Sequence, residues 1–453
     1  MNAARQISKC VSPARAAAFD ILLRIEEQDA YASELLHASP YKNLSSADHG
    51  LMTELVMGVL RWQSVLDNAI SQASSQKIQK LDPEVLITLR MAEYQFRWLE
   101  RIPARAAIHE SVELVKRARK RSAAPFVNAV LRKLSLKAQP PFASEAGQPR
   151  ELAPLYAHPE WLVERWNKEF GIEITRLICK QDQEVPPTTI RLRDQNAAKQ
   201  LAGEGIRLSP GLLLRSAGRV ESVDVTRTQV FRDGRVAIQD EASQLVATLV
   251  GHGSRMLDCC AAPGGKTSIL ADRNPKANIV AVELHSHRAR LLRKLVRAGN
   301  VTVIAADARQ LPFSGDFDGV LADVPCSGTG TLARNPEIKW RLKPEDLQDL
   351  QARQIAILNS AMSRVAPGGK LVYSTCSLEQ EENSDVVEQA LTSNSSFRLL
   401  ECRQELQSLQ EEGELVWKGL DSLIRGPYFR SIPGVHPCDG FFAAILQRKA
   451  ATD

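Results

Sequence analysis

The sequence predicts an α/β protein with an all-helical domain in its first part and a parallel, doubly wound sheet in its second. Apolar residues recur at helical spacing up to about residue 138, and short apolar runs alternate with helical segments from about residue 236. A third observation is the glycine-containing turn at 261–265, which joins a predicted strand to a predicted helix. Alternation of this kind is typical of a sheet with helices on both faces.

The first domain is predicted over residues 1–138. Ser12-Pro13 has the form of an N-cap followed by proline at the first helical position. Ala17, Ile21 and Ile25 then follow at the spacing of one helical face. Strand-type alternation is absent from these residues, so we expect this domain to contain helices alone.

The last third of this domain carries a run of positive charge. Eight Lys or Arg residues lie between positions 116 and 137, and no Asp or Glu interrupts them. Such a run is often a solvated helix face, but an unbroken positive sign favours a surface that contacts RNA phosphates. The cations are Lys116, Arg117, Arg119, Lys120, Arg121, Arg132, Lys133 and Lys137.

A linker and a small α+β subdomain are predicted next. Pro, Gly and Ser residues over 139–149 indicate the linker, and the subdomain is expected over 150–235. A helix is predicted to begin at His158-Pro159-Glu160-Trp161. Strands are predicted at 188–193, at Leu212–Arg215 and at Val230–Arg232.

The second half, 236–453, is predicted to form the doubly wound domain. Each expected strand is a short apolar run, and a helical segment follows most of them. The six strands are predicted at 255–258, 279–282, 301–305, 319–322, 370–374 and 441–446.

The composition indicates ordinary globular domains. The chain has 453 residues, of which 44% are hydrophobic and 25% charged, with a net charge of +5. None of its eight cysteines forms a C-x-x-C pair, and neither an N-terminal apolar segment nor a run of ~20 apolar residues occurs. We therefore expect a cytoplasmic protein with reduced cysteines, away from membranes, and monomeric by default.

The turn after the first predicted strand has the features of a cofactor loop. It runs from Asp258 to Thr267, and glycines there allow a ligand close to the backbone. The next two predicted strands also end in acids, Glu283 and Asp307. The Glu283 carboxylate could bind a ribose diol, and Asp307 or its neighbouring backbone could contact an adenine edge. Each acid alone could simply cap a helix. Acids at three successive strand ends, Asp258, Glu283 and Asp307, favour a binding role.

Two other cofactor classes fit this loop poorly. Gly265-Lys266-Thr267 is similar to the end of a phosphate-binding loop, but that motif needs glycine at position 260, where Cys260 stands. The G-x-G-x-x-G pattern of nicotinamide enzymes does not occur. A nucleoside without a phosphate chain, such as S-adenosylmethionine, is expected instead.

Two cysteines follow predicted strands, Cys326 in Asp323-Val-Pro-Cys and Cys376 in Ser374-Thr-Cys-Ser. A thiolate that adds to carbon 6 of cytosine makes carbon 5 nucleophilic, and a second cysteine can assist the later elimination. Asp323 is placed to hydrogen-bond ring nitrogen 3. A lone cysteine is often a small buried hydrophobe, and clustered cysteines can bind zinc, but zinc-type spacing is missing and no metal is expected.

These motifs together resemble the RNA 5-methylcytosine methyltransferases. The resemblance covers the whole chain, since the helical N-terminus is similar to a NusB-like RNA-binding domain, as in the bacterial enzymes that act on 16S ribosomal RNA. It implies a Rossmann-like S-adenosylmethionine-dependent methyltransferase domain, with Cys376 as nucleophile and Cys326 assisting product release. DNA cytosine methyltransferases use the Pro-Cys cysteine as the nucleophile instead. The implied cofactor contacts are Cys260, Ala261, Ala262, Pro263, Gly264, Gly265, Lys266, Glu283, Asp307 and Asp323.

The substrate implied by the resemblance is 16S ribosomal RNA. The segment 334–341 combines cations, amides and an indole, so Arg334, Lys339 and Arg341 are expected to contact the RNA around a flipped base. Two alternatives stay open: the same chemistry on transfer RNA, and a non-catalytic RNA-binding assembly factor that keeps the fold.

Overall fold

The computed structural model describes residues 11–28, 30–36, 39–41, 43–137, 148–221 and 224–450. Cys10 and positions 139–147 of the predicted linker lie outside the described residues. The chain divides into two units: the first contains the residues up to Val185 and Leu332–Arg341, and the second contains Pro186–Thr331 and the residues from Leu342 onward. Among the helices that the structure describes, none is both long and apolar enough to cross a membrane.

The first unit is all-helical, as predicted, and extends beyond the predicted domain through three further helices. Its helices are α1 (Pro13–Gln28), α2 (Ala32–Leu36), α3 (Ser46–Ala73), α4 (Pro83–Trp98), α5 (Ala104–Arg117), α6 (Ala124–Lys137), α7 (Pro149–Leu155), α8 (Glu160–Phe170) and α9 (Ile172–Gln181). Short 3-10 turns occur at Ser39–Tyr41, Ile78–Lys80 and Arg121–Ala123.

Local sequence explains where these helices begin and which faces they bury. Ser45 caps α3 by accepting a hydrogen bond from the Asp48 backbone N–H at 3.1 Å. Proline occupies the first position of α1 and of α4, where its missing N–H costs nothing. Ile21, Met52 and Leu89 have no exposed surface, and burying each such side chain contributes about 1.5–3 kcal/mol.

The segment Leu332–Arg341 belongs to this unit although the residues on either side of it belong to the other. It contains one helical turn, Ile338–Arg341. The Glu337 carboxylate accepts the Ala32 backbone N–H at 2.9 Å, and the Trp340 indole N–H donates to the Leu60 carbonyl at 2.6 Å. The segment is therefore held by hydrogen bonds to helices that lie far from it in sequence.

The second unit begins with a small antiparallel sheet. Its strands β1 (Thr188–Leu192), β2 (Leu208–Pro210), β3 (Ala217–Val220) and β4 (Val236–Ile238) lie in the order β2-β3-β1-β4. The helices α10 (Gln195–Gly203) and α11 (Gln229–Arg232) and a 3-10 turn (Val225–Arg227) accompany them. The predicted α+β segment is thus split, with its first helices in the first unit and its sheet in the second.

Two predicted strands of this segment are wrong. The backbone N–H groups of Leu212, Leu213 and Leu214 all donate to the Glu241 carboxylate, so they are not available to a strand ladder. Val230–Arg232 is the helix α11, because the Thr228 hydroxyl caps it by accepting the Phe231 N–H at 3.1 Å. In both places side chains that lie outside the apolar run decide the backbone conformation.

The large sheet has nine strands and contains all six predicted ones. These are β5 (Arg255–Asp258), β6 (Asn278–Glu283), β7 (Val301–Ala305), β8 (Phe317–Asp323), β9 (Val365–Thr375) and β13 (Phe441–Arg448). The first five are parallel, in the order β7-β6-β5-β8-β9, and β13 pairs antiparallel with β9. Three short antiparallel strands were not predicted: β10 (Phe397–Leu400), β11 (Ile424–Arg425) and β12 (Tyr428–Ser431).

Helices precede or follow most of the parallel strands of this unit along the chain, and only a 3-10 turn lies between β7 and β8. The helices are α12 (Glu241–Thr248), α13 (Gly265–Arg273), α14 (Ser286–Leu295), α15 (Asp346–Met362), α16 (Ser384–Thr392) and α17 (Cys402–Glu411), with 3-10 turns at Ala308–Gln310, Thr329–Thr331, Gln380–Glu382 and Leu420–Leu423. The chain order reverses between β5 and β8, which are neighbours in the sheet. Such a switch point opens a crevice at the carboxyl ends of the strands, where ligands of α/β proteins bind.

Candidate functional site

The predicted cofactor loop connects β5 to α13. Asp258 ends β5 and accepts a hydrogen bond from the Thr267 hydroxyl at 2.7 Å, and burial raises the pKa of this carboxyl to about 7. Gly264 has a φ of +118°, and a Cβ there would lie 2.6 Å from Cγ2 of Val296. Only glycine fits this position, and the loop leaves its backbone open toward the carboxyl ends of the strands.

The next two parallel strands end in the predicted acids. Glu283 ends β6 and accepts the His285 backbone N–H at 2.9 Å. Asp307 follows β7, and its carboxylate is occupied by Arg309, which donates to it through Nη2 at 2.6 Å. A glycine turn followed by a carboxylate at the next strand end is the arrangement that binds nucleosides in α/β proteins. At the third strand the Asp307 carboxylate is already paired with Arg309.

The structure brings the two predicted cysteines into contact. β8 and β9 are parallel neighbours, with Asp323 opposite Ser374, and the two cysteines follow at the same ends of these strands. The Sγ atoms of Cys326 and Cys376 lie 3.4 Å apart, and both side chains are partly exposed. The hydrogen bond with Cys376, together with burial, raises the pKa of the Cys326 thiol well above its ordinary value.

Asp323 lies between these cysteines and the cofactor loop. Its Oδ2 accepts a hydrogen bond from the Lys266 ammonium at 2.7 Å, and its Oδ1 accepts one from the Ser374 hydroxyl at 2.7 Å. Burial of Lys266 disfavours its charge, but the attraction of Asp323 outweighs burial and raises the pKa of this ammonium. The ion pair fixes the orientation of the carboxylate, leaving it as an acceptor toward the crevice.

Glu382 is a residue of this site that the sequence analysis missed. Its side chain is fully buried, and its carboxylate accepts the Ser327 backbone N–H and the Gln354 side-chain amide, each at 2.8 Å. The hydroxyls of Ser327 and Ser377 donate to the same carboxylate. The only signal in the sequence was an acid six residues after Cys376, and nothing there indicated its partners.

Part of the predicted basic surface is neutralised in the first unit. Lys116 pairs with Glu113 at 2.7 Å, Arg117 with Asp20 at 2.7 Å and Lys120 with Asp82 at 2.9 Å. Asp20 lies in α1 and Asp82 directly precedes α4, so the sequence of the run could not reveal them. Arg119 and Arg121 are exposed and make no ion pair with any residue that the structure describes.

The expectation that Lys339 and Arg341 contact RNA needs correction. Lys339 is 1% exposed, and its ammonium donates to the carbonyls of Arg61 and Ala157, both at 2.9 Å. Arg341 donates to the carbonyls of Ile25 at 2.8 Å and Ala30 at 2.7 Å. These cations satisfy backbone carbonyls within the first unit, so neither is kept among the proposed RNA contacts.

The buried ammonium of Lys339 makes the stability of the protein depend on pH. Burial lowers the pKa of Lys339 to about 7, with Arg61 acting in the same direction and Asp182 and Cys179 opposing it. The unfolded lysine has a pKa of about 10.4, so above about pH 7 the unfolded state binds more protons than the folded state. The free energy of unfolding must then rise with pH, by up to about 1 kcal/mol per pH unit.

We expect Lys339→Met to remove this increase of the free energy of unfolding with pH. Urea unfolding of both proteins, followed by tryptophan fluorescence between pH 7 and 8.5, gives the free energy of unfolding at each pH. The slope of this free energy against pH should be smaller in Lys339→Met than in the wild-type protein. The raised pKa of the Cys179 thiol opposes the trend at higher pH, and Lys339 itself acts on that thiol, so both proteins are compared in a Cys179→Ala background. Parallel pH profiles would contradict the assignment.

A metal site does not emerge from the described residues. Within them, no group of three or more His, Cys, Asp or Glu side chains is arranged to hold an ion. The adjacent Cys259 and Cys260 both have thiol pKa values raised by burial, which disfavours the thiolate form that binds metals.

Three family models match successive parts of the chain. Residues 12–136 match the NusB family, and residues 158–225 match a ferredoxin-like domain of RsmF/B-like methyltransferases. Residues 248–447 match the model described as 16S rRNA methyltransferase RsmB/F.

Curated relatives and solved structures agree with these matches. The chain is 34% identical over 447 residues to the probable ribosomal RNA small subunit methyltransferase B of Bacillus subtilis, covering 95% of this chain and 98% of that one. The fold is similar to the crystal structure of PH0851, with a TM-score of 0.78 and 21% identity over 96% and 99% of the two chains. A methyltransferase homologue from Pyrococcus horikoshii has a TM-score of 0.55 and 26% identity, covering 67% of this chain and all of that one.

Proposed function

The chain belongs to the RsmB/F family of 16S rRNA methyltransferases, and we propose that it methylates carbon 5 of a specific cytosine in 16S ribosomal RNA. The observation that carries the cytosine chemistry is the pair of sulfurs 3.4 Å apart beside the Asp323 carboxylate. Carbon 5 of cytosine is a weak nucleophile, and a thiol nucleophile next to an acceptor for ring nitrogen 3 removes that obstacle.

The proposed reaction divides its work among three side chains. The Cys376 thiolate adds to carbon 6 while ring nitrogen 3 takes a proton from water and donates it in a hydrogen bond to the Asp323 carboxylate, so that carbon 5 becomes nucleophilic. After methylation, a solvent base takes the carbon-5 proton, and the electron pair of that C–H bond forms the carbon-5–carbon-6 double bond. The bond from carbon 6 to sulfur breaks, Cys376 leaves as thiolate, and the proton on nitrogen 3 returns to solvent. The Cys326 thiol lies 3.4 Å from the Cys376 sulfur. We propose that its S–H donates toward that sulfur, which would stabilise negative charge there both before addition and after release.

We propose S-adenosylmethionine as the cofactor, which supplies an electrophilic methyl group when it is bound. Cys260, Ala261, Ala262, Pro263, Gly264 and Gly265 would line it with backbone, Glu283 would bind the ribose, and Asp307 would lie at the adenine edge. Lys266 would act chiefly through Asp323, to which it is already paired at 2.7 Å. The glycine turn and the Glu283 carboxylate are the structural support for this choice.

The RNA would bind through phosphates as well as through the target base. The exposed cations Arg119 and Arg121 in the NusB-like region are the first proposed contacts, and Arg334, which is partly buried, stays a predicted contact. Lys116, Arg117 and Lys120 would have to exchange acid partners for phosphates. With a ribosomal RNA substrate, the location that we propose for the protein is the cytoplasm.

Bisulfite sequencing of total RNA from cells with and without this gene tests the proposal. We expect one cytosine of 16S RNA to be protected in the first sample and converted in the second. Loss of protection at a transfer RNA cytosine instead would keep the chemistry and overturn the substrate. An unchanged pattern at every cytosine would contradict the methyltransferase assignment and favour an RNA-binding factor.

A further inference from the structure

We propose that Glu382 is the positioning residue that holds the two cysteine loops in register. The Cys326 loop is defined as residues 324–328 and the Cys376 loop as residues 376–379. The inference rests on the proposed function, because it concerns the sulfur-to-sulfur geometry on which that reaction depends. Glu382 itself has no exposed surface and does not reach substrate, so its effect must pass through the residues that it binds.

The contacts of Glu382 reach both loops at equivalent places. Ser327 directly follows Cys326 and Ser377 directly follows Cys376, and both hydroxyls donate to Oε2 of Glu382. Oε1 accepts the Ser327 backbone N–H at 2.8 Å and the Gln354 amide at 2.8 Å. One carboxylate thus joins the residues that neighbour the two sulfurs.

The number of donors matches an ionised carboxylate. Each carboxylate oxygen accepts two hydrogen bonds, which uses the full capacity of an acceptor-only group. A glutamine would turn one oxygen into a donor and would face at least one N–H or hydroxyl with the wrong polarity. Burying a charge costs several kcal/mol unless it is fully hydrogen-bonded, and here all four donors supply that compensation.

The backbone around Glu382 is itself fixed. The Tyr373 hydroxyl, from inside β9, donates to the Glu382 carbonyl at 2.6 Å. The next residue, Asn383, donates through its amide to the Ser377 carbonyl at 2.9 Å. Gln354 also donates to the Pro325 carbonyl at 3.0 Å, which ties helix α15 to the Cys326 loop. The backbone that carries the Glu382 carboxylate is therefore fixed by hydrogen bonds to β9 and to the Cys376 loop.

The consequence for the reaction is geometric. A displacement of either loop by about 1 Å changes the 3.4 Å separation of the sulfurs and the direction of attack, and misplacement on this scale can cost 100-fold in rate. Cofactor binding depends on the β5 and β6 ends and should be spared. Loss of Glu382 should thus lower the rate of the covalent step and leave binding in place.

The experiment measures covalent addition directly in the full-length protein. RNA carrying 5-fluorocytosine at the target position traps the adduct, since fluorine cannot leave as the carbon-5 proton does. We expect Glu382→Ala to slow adduct formation about 100-fold at saturating RNA, with dissociation constants for S-adenosylmethionine and RNA changed less than threefold. Glu382→Gln should recover part of the rate, because it restores one acceptor and the side-chain length.

A matched control separates positioning from general destabilisation. Glu241 is also a buried carboxylate of the second unit and accepts three backbone N–H groups away from the cysteine loops. Glu241→Ala should lower the melting temperature and leave the adduct rate of the folded protein unchanged. If Glu382→Ala does not fold, the Ser327→Ala/Ser377→Ala double variant removes the same link, and we expect it to slow the adduct at least tenfold.

Hydrogen exchange provides a readout that does not require the reaction. We expect the Ser327 amide, which donates to Glu382, to exchange at least tenfold faster in Glu382→Ala, while amides of β8 keep their protection. Wild-type adduct rate and unchanged Ser327 protection in Glu382→Ala would overturn the inference. If the wild-type protein forms no adduct, the proposed function fails, and the exchange result still decides whether Glu382 holds the loop.

Discussion

Cys376→Ala is expected to abolish methyl transfer to RNA, lowering the rate by about 10⁴-fold or more, as removal of a covalent nucleophile does in other enzymes. Without a thiolate at carbon 6, carbon 5 of cytosine does not become nucleophilic, and the remaining groups can only bind and orient the base. Incorporation of labelled methyl groups from S-adenosylmethionine into 16S RNA measures the loss. Calorimetry should show cofactor affinity within about twofold of wild type.

The control for this change is another cysteine of the same unit. Cys402 is fully buried, and its thiol donates to the Ala443 carbonyl at 3.6 Å without facing the crevice. Cys402→Ala should keep its methyl-transfer rate. A fully active Cys376→Ala protein would show that the nucleophile is not Cys376, and loss of activity in Cys326→Ala without an adduct would then assign that role to Cys326.

Cys326→Ala is expected to trap the enzyme on its RNA. Addition by Cys376 remains possible, but its departing thiolate loses the S–H donor that lies 3.4 Å away in the wild-type protein. A protein–RNA complex that survives denaturation should therefore accumulate toward one RNA per protein, and turnover should fall to about one methyl group per enzyme. Denaturing gels with labelled RNA measure the complex.

The double variant provides the control for the trapped complex. Cys326→Ala/Cys376→Ala has no nucleophile and should give no denaturation-resistant band, whereas cofactor binding persists. A band of equal intensity in the double variant would mean that another group forms the bond, and multiple turnovers by Cys326→Ala would remove its proposed role in release.

The strands that carry the site were predictable because their sequence patterns are local. Five of the six predicted strands, β5 to β9, are apolar runs whose burial in a covered parallel sheet requires little more than their own side chains. Residues at the ends of neighbouring parallel strands meet at one edge of the sheet. The proximity of Asp323, Cys326 and Cys376 could therefore be predicted as well. Pairing of Asp323 with Ser374 brought these motifs together as the prediction required.

Three of the failures share a different cause, which is a partner remote in sequence. Leu212–Arg215 has the composition of a strand, but the Glu241 carboxylate binds its N–H groups. Lys339 lies in a segment whose composition is typical of an RNA contact, but its buried ammonium donates to the carbonyls of Arg61 and Ala157. Glu382 was passed over because its role depends on Ser327 and Gln354, and no local pattern connects these residues.

The position of Leu332–Arg341 in the first unit has a consequence for biosynthesis. A ribosome releases the helices up to Gln181 long before it has made Lys339 and Trp340, whose donors satisfy carbonyls of those helices. The helical unit must then wait, with the Leu60, Arg61 and Ala157 carbonyls solvated, until most of the parallel sheet has been translated. The part of the protein that is made first is thus among the parts completed late.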